Sequence, residues 1–134
     1  MSNRIPVGAP THAHSMSQQF NLSKIGGTTV VEFTTASLMD PVLLETMADG
    51  LYHLVDEQDQ RRIVLDFERV QYLSSQAIGM LLGMQKKLAA LKQGKMVLCG
   101  VGPRLMELLK ITRLDRVLTV KPSQVEAVRH LEGQ

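Results

Sequence analysis

Apolar residues recur along this chain with two different spacings, and the switches between them outline its elements. Phe20, Leu22 and Ile25 are separated by polar residues, the alternation of an edge strand. Gly26-Gly27 supplies a turn, and the β-branched run from Thr28 to Thr34 predicts a second strand, so the two read as a hairpin. Asp40-Pro41 marks a helix start: the carboxylate can accept from free backbone N–H groups, and a proline at the first helical position loses nothing by lacking its own. Val42, Leu43, Met47, Leu51 and Leu54 then recur at helical spacing to about Glu57. Within Arg62 to Phe67 the unbroken Ile63-Val64-Leu65 predicts a strand covered on both sides. Ser74 or Ser75 opens the next helix, which runs to about Lys92 and is ended by Gly94. Lys95 to Cys99 reads as another buried strand, and Pro103 starts a short helix carrying Leu105, Met106, Leu108 and Leu109. Asp115 to Val120 contains a last strand, and Pro122 starts a final helix with Val125, Val128 and Leu131 on one face.

A hairpin followed by alternating strands and helices specifies an α/β fold. Strands joined through helices run parallel, with right-handed crossovers. The expectation is a single-layer mixed β-sheet, an N-terminal antiparallel hairpin plus parallel strands, packed with about four helices. Residues 1–16 are rich in Pro, Gly, Ser and His and carry no hydrophobic period, so they read as a flexible N-terminal tail; residues 17–134 form the domain.

The stretch from Leu65 to Gly79 holds the most chemistry. It is a buried strand, a short turn and a helix N-terminus bearing two serines. Ser74 is the natural N-cap, which leaves Ser75 at the first helical position with its hydroxyl near solvent. Such a position tolerates added negative charge, because the free N–H groups and the helix dipole favour an anion. Phosphate there would add about −1.5 to −2 charge without melting the helix, and would change what the surface can bind. Plain capping by two serines accounts for the same residues. Along the helix, Ile78, Leu81, Leu82, Gln85 and Ala89 share one face, and Ala77, Met80, Met84, Leu88 and Leu91 the adjoining one. Ser75, Gly79 and Gly83 line up on the remaining side. Two interior glycines cost about 2 kcal/mol against alanine, so something should approach that stripe closely. The neighbour is either a helix of the same domain or a docking partner.

Composition narrows the functional classes. A net charge of +2 in 134 residues, without a basic run, argues against nucleic acid. The single cysteine, Cys99, excludes an internal disulfide and suits a reducing cytoplasm; in a buried strand it reads as a core residue. No apolar stretch approaches the roughly 18 residues of a membrane span, and Met1 to Ser15 lacks the apolar core of a secretory signal. His12, His14, His53 and His130 are scattered without zinc-ligand spacing, so no metal is expected. Gly100-Val101-Gly102-Pro103 follows a strand as a phosphate loop would, but Leu105 stands at the third glycine's place and Pro103 removes a donor. Asp66, ending a strand beside the two serines, reads as a stabiliser of loop backbone rather than as a catalytic carboxylate. No Ser-His-Asp arrangement can be assembled, and no cofactor or enzymatic activity is expected.

The segment from Asp66 to Gly79 resembles the signature of STAS domains, the anti-sigma factor antagonist family: a strand, a short loop and an Asp-Ser-Ser/Thr-Gly helix start. Met96 to Cys99 resembles the family's next strand, and Pro103 to Val120, with Leu114-Asp115-Arg116-Val117-Leu118, its third helix and last strand. The resemblance runs from roughly Gln18 to the C-terminus. It implies no catalytic machinery. It implies a cytoplasmic switch that binds an anti-sigma factor with serine-kinase activity, is phosphorylated at Ser75, and is reset by a phosphatase. The docking surface read from the helix itself is expected to take in Ser74, Ser75, Gln76, Gly79, Met80 and Gly83. The departures are Ser74 for the family's acidic residue, Gln76 for its Ser/Thr and Ala77 for its Gly. Arg113 stands where the family often has Gly, with strain if that position needs positive φ. The alternative implied is a constitutive scaffold or accessory subunit of a signalling or lipid-transport assembly, not regulated by phosphorylation.

Overall fold

The computed structural model describes residues 19–133. Strands β1 (Phe20–Ile25), β2 (Thr28–Phe33), β4 (Arg62–Asp66), β6 (Lys95–Cys99) and β7 (Thr119–Lys121) form one sheet in the order β1-β2-β4-β6-β7. β1 and β2 pair antiparallel, and every later pairing is parallel. Two short strands, β3 (Ser37–Leu38) and β5 (Tyr72–Leu73), make a separate parallel ribbon. The helices among the described residues are α1 (Pro41–Asp56), α2 (Ser75–Ala89), α3 (Pro103–Ile111) and α4 (Gln124–Glu132), with a 3-10 turn at Leu114–Arg116. The mixed sheet with its antiparallel hairpin and four helices is the architecture the sequence predicts. The tail expected at residues 1–16 lies outside the described residues.

Side chains of a strand alternate between faces, and that alternation divides the core. Val31, Phe33, Ile63, Leu65, Met96 and Leu98 point to the side covered by α1 and α2. Val30, Val64, Val97 and Cys99 point to the other, where Ala127, Val128 and Leu131 of α4 meet them. Burying one such aliphatic side chain contributes about 1.5–3 kcal/mol. α4 buries only three residues, and a polar latch supplements them. Glu132 Oε2 accepts from the Thr28 hydroxyl at 2.6 Å and from Arg62 Nη1 at 3.3 Å. The Thr28 hydroxyl foremost, with the Gly27 N–H and Arg62, holds the Glu132 carboxyl below its ordinary value against the opposing effect of desolvation.

Helix faces differ from the sequence reading near their N-terminal ends. In α1 the buried set is Leu44, Met47, Leu51, Leu54 and Val55, while Val42 is 76% exposed. In α4, Ala127 points inward and Val125 outward. In α2 the inward face is Ala77, Met80, Leu81, Met84 and Leu88, with Leu82 exposed. α2 stops at Ala89, short of Lys92. Gln93 takes the left-handed φ of 62°, and Gly94 is required for space, since a Cβ there would strike the Leu88 carbonyl oxygen. Arg113 has φ of 61°, the strained value anticipated for it.

Candidate functional site

The segment leading to the two serines begins where β4 ends. Asp66 is 4% exposed, and each of its oxygens is engaged: Oδ1 accepts from Glu68 N at 2.9 Å and Oδ2 from Gln124 Nε2 at 2.6 Å. The loop it holds is further tied by Phe67 N donating to the Cys99 carbonyl at 2.8 Å and Val70 N to the Phe67 carbonyl at 2.9 Å. Gly100, at φ of 67°, passes so close that an added Cβ would lie 2.9 Å from Asp66 Oδ1. Gly100 is thus the point where the end of β6 packs against the loop after β4. A cavity of about 300 Å³ lies beside Asp66, Cys99 and Ser123. Burial, then the charges of Asp66, Glu68 and Glu32, push the Cys99 thiol up to about 12, so it stays protonated and unreactive at neutral pH. Among the described residues no cluster of metal-ligating side chains occurs, and no helix is long and apolar enough to cross a membrane.

From the loop the chain enters β5, which the β3 ribbon fixes beside α1. Ser74 N donates to the Leu38 carbonyl at 3.1 Å, and Ser74 Oγ accepts from Ala77 N at 3.2 Å. Ser74 is thus the N-cap of α2, and Ser75 is its first residue. The Ser75 side chain is exposed, and among the described residues its hydroxyl has no hydrogen-bond partner. Gln76 Nε2 donates to the Pro41 carbonyl at 3.1 Å, joining the start of α2 to the start of α1. α1 is itself capped by Asp40, whose Oδ1 accepts from Val42 N at 2.9 Å.

The expected glycine stripe divides in two. Gly79 faces open space, with nothing within 4 Å of an added Cβ. Gly83 lies beneath Tyr52 of α1, whose hydroxyl donates to the Met80 carbonyl at 3.4 Å and would collide with a Cβ at Gly83. Met80 is buried at 4% exposure. Of the six residues named as a docking set, the structure therefore presents Ser75, Gln76 and Gly79 at the surface, keeps Ser74 half-buried as the cap, and turns Met80 inward and Gly83 under the neighbouring helix. It adds residues the sequence reading passed over. Met39 (50%), Val42 (76%) and Tyr72 (44%) are exposed apolar side chains on the segments that flank the two helix starts. The Arg104 guanidinium, at the start of α3, stacks over the Tyr72 ring at 5.5 Å. The signal for Val42 was available: at the second position of α1 it falls outside the spacing set by Leu44, Met47 and Leu51.

The STAS domain family profile matches residues 19–127. The chain belongs to the STAS domain family. It is 34% identical to an anti-sigma F factor antagonist of Paenibacillus polymyxa over 82 residues, which cover 58% of this chain and 69% of that protein. Among solved structures, an anti-sigma-factor antagonist (STAS) domain protein from Planctomyces limnophilus superposes with a TM-score of 0.73 at 24% identity, over 84% of this chain and 96% of that one. The phosphorylated form of the Bacillus cell fate determinant SpoIIAA superposes with a TM-score of 0.66 at 20% identity, over 84% and 98% of the two chains.

Measured against the STAS signature, the departures at the helix start are conservative for the helix. Ser74 caps α2 in place of the acidic residue, and Ala77 fills a fully buried position on the core face. Gln76 replaces a hydroxyl side chain with an amide long enough to reach α1. What changes is the surface: Ser74 brings no charge beside Ser75, and Met39, Val42 and Tyr72 are exposed on the neighbouring segments.

Proposed function

We propose that this protein is an anti-sigma factor antagonist that binds its anti-sigma factor through the surface around Ser75 and is released by phosphorylation of that serine. The observation that carries the reading is the division of labour between the two serines. Ser74 does the capping, so Ser75 is exposed with a free hydroxyl at a helix N-terminus, where a phosphate costs the fold little. The surrounding surface supports docking. Met39, Val42 and Tyr72 offer apolar contact, and Gly79 leaves room for close approach. A phosphate placed among apolar contacts disfavours the complex through desolvation and charge. The partner is a serine-kinase anti-sigma factor, with a phosphatase restoring the unmodified state.

Isothermal titration of the host's anti-sigma factor tests this with wild type, Ser75→Ala and Ser75→Asp. Binding by the first two and loss in the third is expected, with ATP-dependent addition of one phosphate at Ser75 by mass spectrometry. Equal binding by all three would instead describe a constitutive scaffold.

A further inference from the structure

We propose that this chain associates with copies of itself head to tail, a cation-ringed apolar knob at the end of α3 seating in the acid-rimmed groove between β1 and α1 of the next copy. The inference is independent of the Ser75 reading and uses other surfaces. The knob is the segment 110–117. Its backbone folds tightly: Arg113 N donates to the Lys110 carbonyl at 3.1 Å, Arg116 N to the Arg113 carbonyl at 3.3 Å and Val117 N to the Leu114 carbonyl at 3.0 Å. Leu109, Leu114 and Leu118 anchor it in the core, while Ile111 stays 73% and Val117 50% exposed. Lys110, Arg113 and Arg116 are also exposed, and among the described residues none has an ion pair or a side-chain hydrogen bond. Asp115 is the only carboxylate in the segment. Lys110 answers the dipole at the C-terminus of α3. Arg113 does something else. It holds φ of 61°, where a glycine sits without strain, and its side chain gains no polar partner in return.

The same chain carries the complementary surface. A cavity of about 380 Å³ lies between β1 and α1, lined among others by Phe20, Leu22, Asp49 and Leu54. Leu22 remains 49% exposed there. Along the outer face of α1, Glu45, Asp49, His53 and Glu57 follow at spacing of four, all exposed. Among the described residues the three carboxylates have no ion pair or side-chain hydrogen bond. Three unpaired cations around two exposed aliphatic side chains thus match three unpaired carboxylates beside an open apolar groove. One chain cannot join its own two surfaces. The groove lies at β1, one edge of the sheet, and the 3-10 turn of the knob packs against β7, the other edge. Each copy offers one knob and one groove, so the contact is heterologous and extends from copy to copy.

Sedimentation equilibrium of the full chain tests this. A contact of this kind is weak, so concentrations should reach about 1 mM. In low salt, with a Debye length of about 30 Å, the average mass should climb past the dimer; in about 1 M salt, with a length of about 3 Å, it should fall back toward the monomer. Charge reversal of the knob (Arg113→Glu with Arg116→Glu) and of the rim (Glu45→Lys with Asp49→Lys) should each weaken self-association at least about tenfold. An equal mixture of the two variants should associate again, because each then meets an opposite charge. Arg113→Gly should hold or raise Tm while weakening association, which separates the interface from the fold. A wild-type chain that stays monomeric at about 1 mM in low salt, a dimer that neither grows nor responds to charge reversal, or a mixture that stays apart would each overturn the proposal. All four reversed positions are exposed, and matching amide spectra of the dilute variants verify the fold.

Discussion

Asp66→Ala removes the carboxylate that holds the loop before the two serines to the end of the sheet. The side chain accepts from Glu68 N and from Gln124 Nε2, and both bonds go to an ionised group in a site 4% exposed. Each such bond contributes about 1.5–3 kcal/mol, and truncation leaves the two donors without that partner. Relief from burying the charge offsets part of this, leaving a destabilisation of about 3–4 kcal/mol. For a domain of this size that lowers Tm by roughly 10–15 °C. Asp66→Asn should behave differently. Its oxygen can still accept from Glu68 N, and the Gln124 amide can turn to offer its own oxygen to the new NH2, so the loss falls to about 1 kcal/mol. Urea unfolding with wild type, both variants and Gln124→Ala measures the differences, and the double change Asp66→Ala with Gln124→Ala isolates the Asp66–Gln124 coupling. A loss below about 1 kcal/mol for Asp66→Ala, or one no larger than for Asp66→Asn, would refute the claim that this carboxylate anchors the loop.

Ser74→Ala should cost about 1 kcal/mol in urea unfolding, as an N-cap does, whereas Ser75→Ala should stay within about 0.5 kcal/mol of wild type; equal losses would contradict the division of labour between them. Gly79→Ala should raise stability by up to about 1 kcal/mol while weakening partner binding, because its site is open in the free domain. Gly83→Ala should lower stability instead, since Tyr52 occupies the space, and thermal unfolding of the two variants should move in opposite directions. The Glu132 carboxyl is held below its unfolded value, so its contribution is present above the unfolded pKa and lost as pH falls through the folded one. Stability profiles from neutral to acid pH should therefore show a shallower decline for Glu132→Gln than for wild type, and parallel profiles would show that the latch does not act.

The sheet was legible because its strands carry β-branched or unbroken apolar runs, and Ile63-Val64-Leu65 is buried on both faces as such a run requires. The caps at Asp40 and Ser74 were legible because capping is a local interaction with local sequence cues. The faces of α1 and α4 were misjudged at Val42 and Val125, each in the first turn: in α1 the spacing of Leu44, Met47 and Leu51 already excludes Val42, whereas in α4 Val125 lies at helical spacing from Val128 just as Ala127 does from Leu131. The difference between Gly79 and Gly83 was not legible at all. It depends on Tyr52, brought over α2 from a distant part of the chain by the packing of two helices. The same holds for Arg104 on Tyr72 and for the ribbon of β3 and β5, whose two-residue strands are too short to show a period.

The central claim is that one surface, centred on Ser75, receives the partner. It is tested most directly by titrating the isotopically labelled chain with the host's anti-sigma factor and mapping amide perturbations residue by residue. The account predicts that they concentrate at Met39 to Val42, Tyr72 to Gly79 and Arg104, and that phosphoserine at position 75 abolishes them. Perturbations centred instead on the opposite end of the sheet, around Arg62 and Gln93, with Ser75 unaffected, would contradict it.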